Sequence, residues 1–203
     1  MFFTIVAVMV SFGIFHSILA SGHMKQTLRR FLGERAYEGF YRIGYNFVAF
    51  VTLLPAIALV MLQPGNVVWK VEGTAQLVLV AIQGAGVIGV IVSLMQIDVW
   101  RFAGLKQLMA YINYEDLPLP DEALQTGGLY RLVRHPLYLF SLMVIWPISS
   151  MGESWLAFNI VSTIYFALGS ILEERKLTHS YGDIYRQYQQ EVSWLIPLPK
   201  SWR

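Results

Sequence analysis

The apolar residues of this chain fall in uncharged blocks of nearly bilayer length, and nothing else in the sequence constrains the fold as strongly. A hydrocarbon core about 30 Å thick needs about 20 mostly apolar residues in helix to cross it. Phe2 to Ala20 carries no charge, Asn46 to Leu62 follows, and Leu77 to Ile97 is again uncharged. The last block, Leu137 to Leu172, is long enough for two crossings, and its only charge is Glu153 within Gly152-Glu153-Ser154. It reads as a hairpin of two helices, the first kinked at Trp146-Pro147, where proline removes an amide donor. With 14% charged residues in 203, the chain has too little polar surface to enclose a soluble core. A secretory leader ending at Leu19-Ala20-Ser21 is the weaker reading of the first block. That block lacks a basic start and its apolar run is too long.

Five crossings place the termini on opposite sides of the membrane, and the charges test that count. Lys25, Arg29, Arg30, Arg35 and Arg42 follow the first span, and Arg101, Lys106, Arg131 and Arg134 the third. Arg175, Lys176, Arg186, Lys200 and Arg203 follow the fifth, so Lys70 alone of the 15 Lys and Arg falls on the other face. By the positive-inside rule the N-terminus is outside and the C-terminus cytoplasmic. The expected fold is all-α: a polytopic membrane protein of one domain, residues 1–203, with five transmembrane helices. The last two form a hairpin, and cytoplasmic interfacial helices complete it. Its cytoplasmic parts are 21–45, 98–136 and 173–203. The first reads as an amphipathic interfacial helix, with Leu28, Phe31 and Leu32 beside basic residues. The second holds Leu117-Pro118-Leu119-Pro120-Asp121, a stiff extended piece, and then the turn Gly127-Gly128.

Several signals point nowhere. A net charge of +2 makes no case for nucleic acid, and zero cysteines exclude disulfides, thiolate metal sites and cysteine nucleophiles. Gly84, Gly86 and Gly89 spell a dinucleotide-binding string, but inside an uncharged span such residues serve close helix packing. The four histidines have no ligand spacing, so no metal is expected; His135 with His179 and an acid lacks spacing support. No serine-hydrolase signature is present. His16, near the end of the first span, either has a function or bonds a neighbouring helix. Asp98 reads as a boundary residue.

Two clusters carry chemistry. In Tyr130-Arg131-Leu132-Val133-Arg134-His135-Pro136-Leu137-Tyr138, Pro136 suits a first helical position. Arg134 and His135 then sit at the positive end of the fourth span, in a nook suited to a carboxylate or phosphate. Anchoring of the loop and an interfacial aromatic belt are the plainer alternatives. The second cluster is Glu173-Glu174-Arg175-Lys176, followed by Tyr181, Tyr185 and Tyr188 at helical spacing. The hairpin brings the two clusters together, and two acids, an arginine and a histidine suit a zwitterionic ligand.

At these residues the last half of the chain resembles the isoprenylcysteine carboxyl methyltransferase superfamily of membrane enzymes. The matching residues are Gly128-Leu129-Tyr130, Arg134-His135-Pro136-Leu137-Tyr138, Glu173-Glu174 and His179-Ser180-Tyr181-Gly182-Asp183-Ile184-Tyr185, with Tyr188 and Val192. The resemblance implies S-adenosylmethionine as cofactor, bound by the part from about residue 104 to 203. Tyr130, Arg134, His135, Pro136, Leu137, Tyr138 and Glu173 are implied to line its site, and Arg134 and Glu174 are the catalytic candidates. The methyl acceptor is then a small molecule or a lipid-soluble one, with membrane lipid as the surrounding partner. Where the prenylcysteine branch carries a substrate-binding arginine this chain has Gly169. Phe15-His16-Ser17-Ile18-Leu19-Ala20-Ser21, Tyr41-Arg42, Tyr45-Asn46 and Gly104-Leu105-Lys106-Gln107 look more like the methanethiol S-methyltransferase branch and NnrU-type membrane proteins. A thiol acceptor is therefore expected, in a prokaryotic plasma membrane. Prenylcysteine or lipid methylation, an NADPH-dependent sterol-reductase-like enzyme and a non-catalytic scaffold are the alternatives.

Overall fold

The computed structural model describes residues 1–198, so the basic residues Lys200 and Arg203 lie outside the described residues. Four helices are long and apolar enough to cross a membrane: Phe2–Ala20 (α1), Glu34–Leu62 (α3), Thr74–Met95 (α4) and Glu153–Tyr181 (α8). They make the chain an integral membrane protein. Between and after them lie Gly22–Leu32 (α2), Val67–Lys70 (β1), Val99–Ala103 (α5) and Leu105–Ile112 (α6). A 3-10 turn at Gly128–Arg131, Pro136–Ile145 (α7), Ser150–Gly152 (β2) and Asp183–Glu191 (α9) follow. The chain divides into two compact units, 1–64 with 98–122 and 65–97 with 123–203.

In the first unit, Ser21 caps α2 by accepting from Met24 N, and Gly33 at φ +82 separates α2 from α3. α2 matches the expected amphipathic segment, with Phe31 85% exposed. The helix that carries the span expected from Asn46 already begins at Glu34, and its first turns bury Tyr37 and Gly39. Gly104 allows the close approach of α5 and α6 to α3, since a Cβ there would lie 2.4 Å from Ile43 N. Asn46 Nδ2 donates across the same contact to the carbonyls of Phe102 and Ala103. His16 bonds a neighbouring helix: Nε2 lies 2.5 Å from the Tyr45 hydroxyl on α3, and the ring stacks on Phe12. Asp98 caps α5 by accepting from Arg101 N at 3.0 Å and pairs with Lys106.

In the second unit, α4 and α7 pack closely through the glycines. A Cβ at Gly86 would lie 3.0 Å from the backbone of Met143 and Val144, and one at Gly89 would overlap the Phe140 ring at 2.2 Å. The dinucleotide reading of this string has no strand or turn to support it.

The expected fourth span is shorter than its apolar block. α7 has ten residues, about 15 Å of helix. It ends at Trp146-Pro147 rather than kinking there, a correction with a clear cause. Proline cannot donate to the preceding turn, and side chains of α8 supply other partners. Asn159 Nδ2 donates to Ile145 O at 2.7 Å, and Trp146 Nε1 to Thr163 Oγ1 at 2.9 Å. The chain then forms β2, which pairs antiparallel with β1, Lys70 opposite Ser150 and Val67 opposite Gly152. This small ribbon departs from the all-α expectation. The turn lies before Gly152, and Glu153 starts α8.

Candidate functional site

Pro136 is the first residue of α7, as its fixed φ favours, with His135 as the N-cap. At the nook read as suited to a carboxylate or phosphate, the amides of Arg134 and His135 are occupied by the chain's own C-terminal segment. Arg134 N donates to Ser193 O at 2.8 Å and to Trp194 O at 3.1 Å, and His135 N to Trp194 O at 3.3 Å. Val133 and Ser193 form an isolated parallel bridge, and Trp194 Nε1 donates to Ser170 Oγ on α8 at 3.0 Å. Residues 192–198 thus form a strap across the start of α7 and the side of α8.

α8 continues past the apolar block and carries both acids to this strap. Arg134 Nε donates to Glu174 Oε1 at 2.6 Å, and its Nη1 to the carbonyls of Gln189 (3.0 Å) and Val192 (2.7 Å). His135 Nε2 lies 3.2 Å from the same Glu174 oxygen, and Gln189 Nε2 donates to Glu174 Oε2 at 2.9 Å. Both oxygens of Glu174 are therefore engaged within the fold. Glu173 is different. Its side chain is 48% exposed, accepts from the Tyr138 hydroxyl at 3.0 Å, and lies 3.7 Å from His135 Nδ1. The adjacent acids are thus not equivalent: Glu174 is held inside, and Glu173 presents a carboxylate at the rim.

An aromatic ladder runs from the acids along the hairpin. The His135 and Tyr138 rings stack at 5.5 Å and 17°, and Tyr138 and Phe166 at 5.2 Å and 14°. Pro136 is buried and Leu137 is half-buried. Tyr130, in the 3-10 turn, accepts at its carbonyl from the Tyr188 hydroxyl at 2.5 Å. Burial pushes the Tyr130 phenol up to about 12, with the Glu173 charge adding to the effect, so it stays a neutral donor. Beside the strap opens a cavity of about 640 Å³ whose lining includes Arg134, Gln189, Val192, Trp194 and Leu198. That volume falls in the range of ligand pockets, roughly 300–1,000 Å³.

Of the residues expected here, Arg134, His135, Tyr138, Glu173 and Glu174 are linked directly by hydrogen bonds or ion pairs. Tyr130 joins them through α9, while His179 is exposed near the end of α8. The three tyrosines expected on one helix are divided by Gly182 at φ +58, which ends α8 and starts α9. Tyr185, Tyr188 and Val192 nevertheless form one buried cluster, against which Tyr181, Leu177 and Leu124 pack. Sequence reasoning missed Gln189 and Trp194. Gln189 stands four residues after Tyr185 on α9, the spacing that would have placed both on one face.

Fold and site define a helical membrane protein whose hairpin gathers an arginine, a histidine and two glutamates at one end. Residues 82–184 match the family model described as phospholipid methyltransferase. The chain belongs to that family. It is 33% identical over 195 residues to methanethiol S-methyltransferase 1 of Bradyrhizobium diazoefficiens, covering 95% of this chain and 66% of that protein. It is 31% identical over 195 residues to methanethiol S-methyltransferase of Mycobacterium tuberculosis, covering 93% and 75%. A shorter match, 37% over 86 residues, joins it to protein-S-isoprenylcysteine O-methyltransferase of Schizosaccharomyces pombe, covering 38% of this chain and 34% of that protein. The chain thus spans about two thirds of the Bradyrhizobium protein it matches. No solved structure matches it significantly.

Proposed function

We propose that this chain transfers a methyl group from S-adenosylmethionine to a small or lipophilic thiol at the membrane. The observation that carries the reading is the meeting of 130–138 with Glu173-Glu174 at the mouth of the hairpin, inside the stretch that matches the family. The donor set fits such a cofactor. The exposed Glu173 carboxylate suits ribose hydroxyls or an ammonium group. The aromatic pair His135 and Tyr138 suits a sulfonium, because aromatic rings attract cations. Tyr130, Pro136 and Leu137 complete the wall. Bound there, the cofactor supplies an activated methyl group for in-line displacement, which asks the protein for positioning more than for acid–base chemistry.

Within this reading Arg134 and Glu174 serve catalysis by fixing the strap, and Glu173 makes the polar contact. The thiol reading rests on coverage. The relatives named for methanethiol match this chain over 95% and 93% of its length, the prenylcysteine relative over 38%.

We also propose five crossings. The chain leaves His135 beside Glu173 and returns at Gly152 to the start of α8. α7 and the stretch after it therefore run the length of α8 from Glu153 to Glu173, about 30 Å. The basic residues then put the site on the cytoplasmic face and the N-terminus outside.

Calorimetric titration of S-adenosylmethionine into the protein in lipid nanodiscs tests the cofactor. Micromolar binding that Glu173→Ala weakens supports it, and heat that is indistinguishable from buffer overturns it.

A further inference from the structure

Tyr185 lies on α9 and is 1% exposed, and its hydroxyl oxygen is sealed from solvent with no hydrogen-bond partner among the described residues. Its neighbour in the cluster, Tyr188, has the opposite arrangement, since that hydroxyl donates to Tyr130 O at 2.5 Å. The contrast is informative because buried polar groups nearly always find partners, and one that does not needs a reason. A phenylalanine at 185 would fill the same space among Tyr188, Val192 and Leu177 without burying an unmet donor.

The surroundings supply the reason. The charges of Glu174, Arg134 and Glu173 all act on this hydroxyl, Glu174 most strongly of the three. Burial holds the phenol well above its ordinary range, so at physiological pH it is a neutral O–H donor. Glu174 does not accept from it, its two oxygens being bound by Arg134, His135 and Gln189. A donor without an acceptor among the described residues therefore stands beside the Arg134–Glu174 cluster. Gly182, whose φ of +58 suits glycine, sets the turn that lays α9 back against this cluster.

We propose that Tyr185 is a cofactor-binding residue whose hydroxyl donates to an oxygen of the bound S-adenosylmethionine, either its carboxylate or a ribose hydroxyl. This inference rests on the cofactor reading above and adds a contact from α9 to those from α7 and α8.

The test compares full-length protein, Tyr185→Phe and Tyr188→Phe in nanodiscs by two readouts. One is thermal unfolding without ligand, and the other is calorimetric titration with sinefungin and with 5′-methylthioadenosine. Sinefungin keeps the carboxylate and ribose of the cofactor in unreactive form, and methylthioadenosine keeps only the nucleoside. Tyr185→Phe should unfold at the wild-type temperature or above it, while its sinefungin Kd rises about threefold to tenfold. Tyr188→Phe should unfold at a lower temperature, because it strips the Tyr130 carbonyl of its donor. Weakening with both ligands assigns the ribose, and weakening with sinefungin alone assigns the carboxylate. An unchanged sinefungin Kd in Tyr185→Phe overturns the inference, as does a clear loss of thermal stability, which would mean an internal partner. Failure of the wild-type protein to bind sinefungin overturns the cofactor reading itself.

Discussion

Arg134 donates Nε to Glu174 at 2.6 Å while its Nη1 reaches the carbonyls of Gln189 and Val192. One guanidinium therefore joins the start of α7, the end of α8, the end of α9 and the strap. A lysine presents a point charge and cannot reproduce this fork. The pair is only 12% and 15% exposed, so loss of one partner strands a charge in poorly solvated surroundings.

Arg134→Ala should cost about 3–5 kcal/mol, the range for breaking a buried pair. Arg134→Lys should recover only part of it. Chemical unfolding in detergent measures the loss, and limited proteolysis should find new cleavage within 183–198. A wild-type digestion pattern in Arg134→Ala would contradict the strap's dependence on this residue.

The glycines of α4 make a graded prediction. A Cβ at Gly84 meets nothing within 4 Å, at Gly86 it meets backbone at 3.0 Å, and at Gly89 the Phe140 ring at 2.2 Å. Gly84→Ala should be neutral or slightly stabilising. Gly86→Ala and Gly89→Ala should each cost about 1–3 kcal/mol through overpacking. Replacing Phe140 with Leu should restore part of the loss at Gly89 but none at Gly86. Thermal unfolding of the wild type, the three alanine variants and the two double variants in one detergent decides the order.

Alkaline pH should weaken the fold. Burial raises Tyr130 to about 12, and Tyr185 and Tyr188 move up for the same reason. The unfolded chain loses these protons near pH 10 and the folded chain later, so stability is full below about 10 and falls as pH rises toward 12. Absorbance near 295 nm should show a group of tyrosines ionising above the ordinary range. Titration of all tyrosines together near pH 10 in folded protein would contradict the burial.

Much of this arrangement could be read from the chain. Scarce charge marked α1, α3, α4 and α8, and Pro136 marked the start of α7. The meeting of Arg134 and His135 with Glu173-Glu174 followed from the hairpin. Other features depend on partners distant in sequence. β1 pairs with β2 some eighty residues later, and four residues cannot display a strand period. Ser193 and Trp194 meet Arg134 and His135 through main-chain carbonyls, which leave no side-chain signal. α7 stops early because Asn159 and Thr163, on a different helix, offer its end new partners. For the same reason the inequality of Glu173 and Glu174 was invisible, since adjacent acids look alike until Arg134 and Gln189 choose one.

The central claim is methyl transfer at the Glu173 rim of this hairpin. Its most direct measurement is transfer of labelled methyl from S-adenosylmethionine to methanethiol by protein purified into nanodiscs, with Glu173→Gln alongside. The account predicts a volatile labelled thioether from the wild-type protein and a rate at least tenfold lower from Glu173→Gln, of similar thermal stability. Equal rates from the two proteins would contradict the placement of the site, and no transfer to methanethiol or larger thiols by cofactor-binding protein would contradict the function.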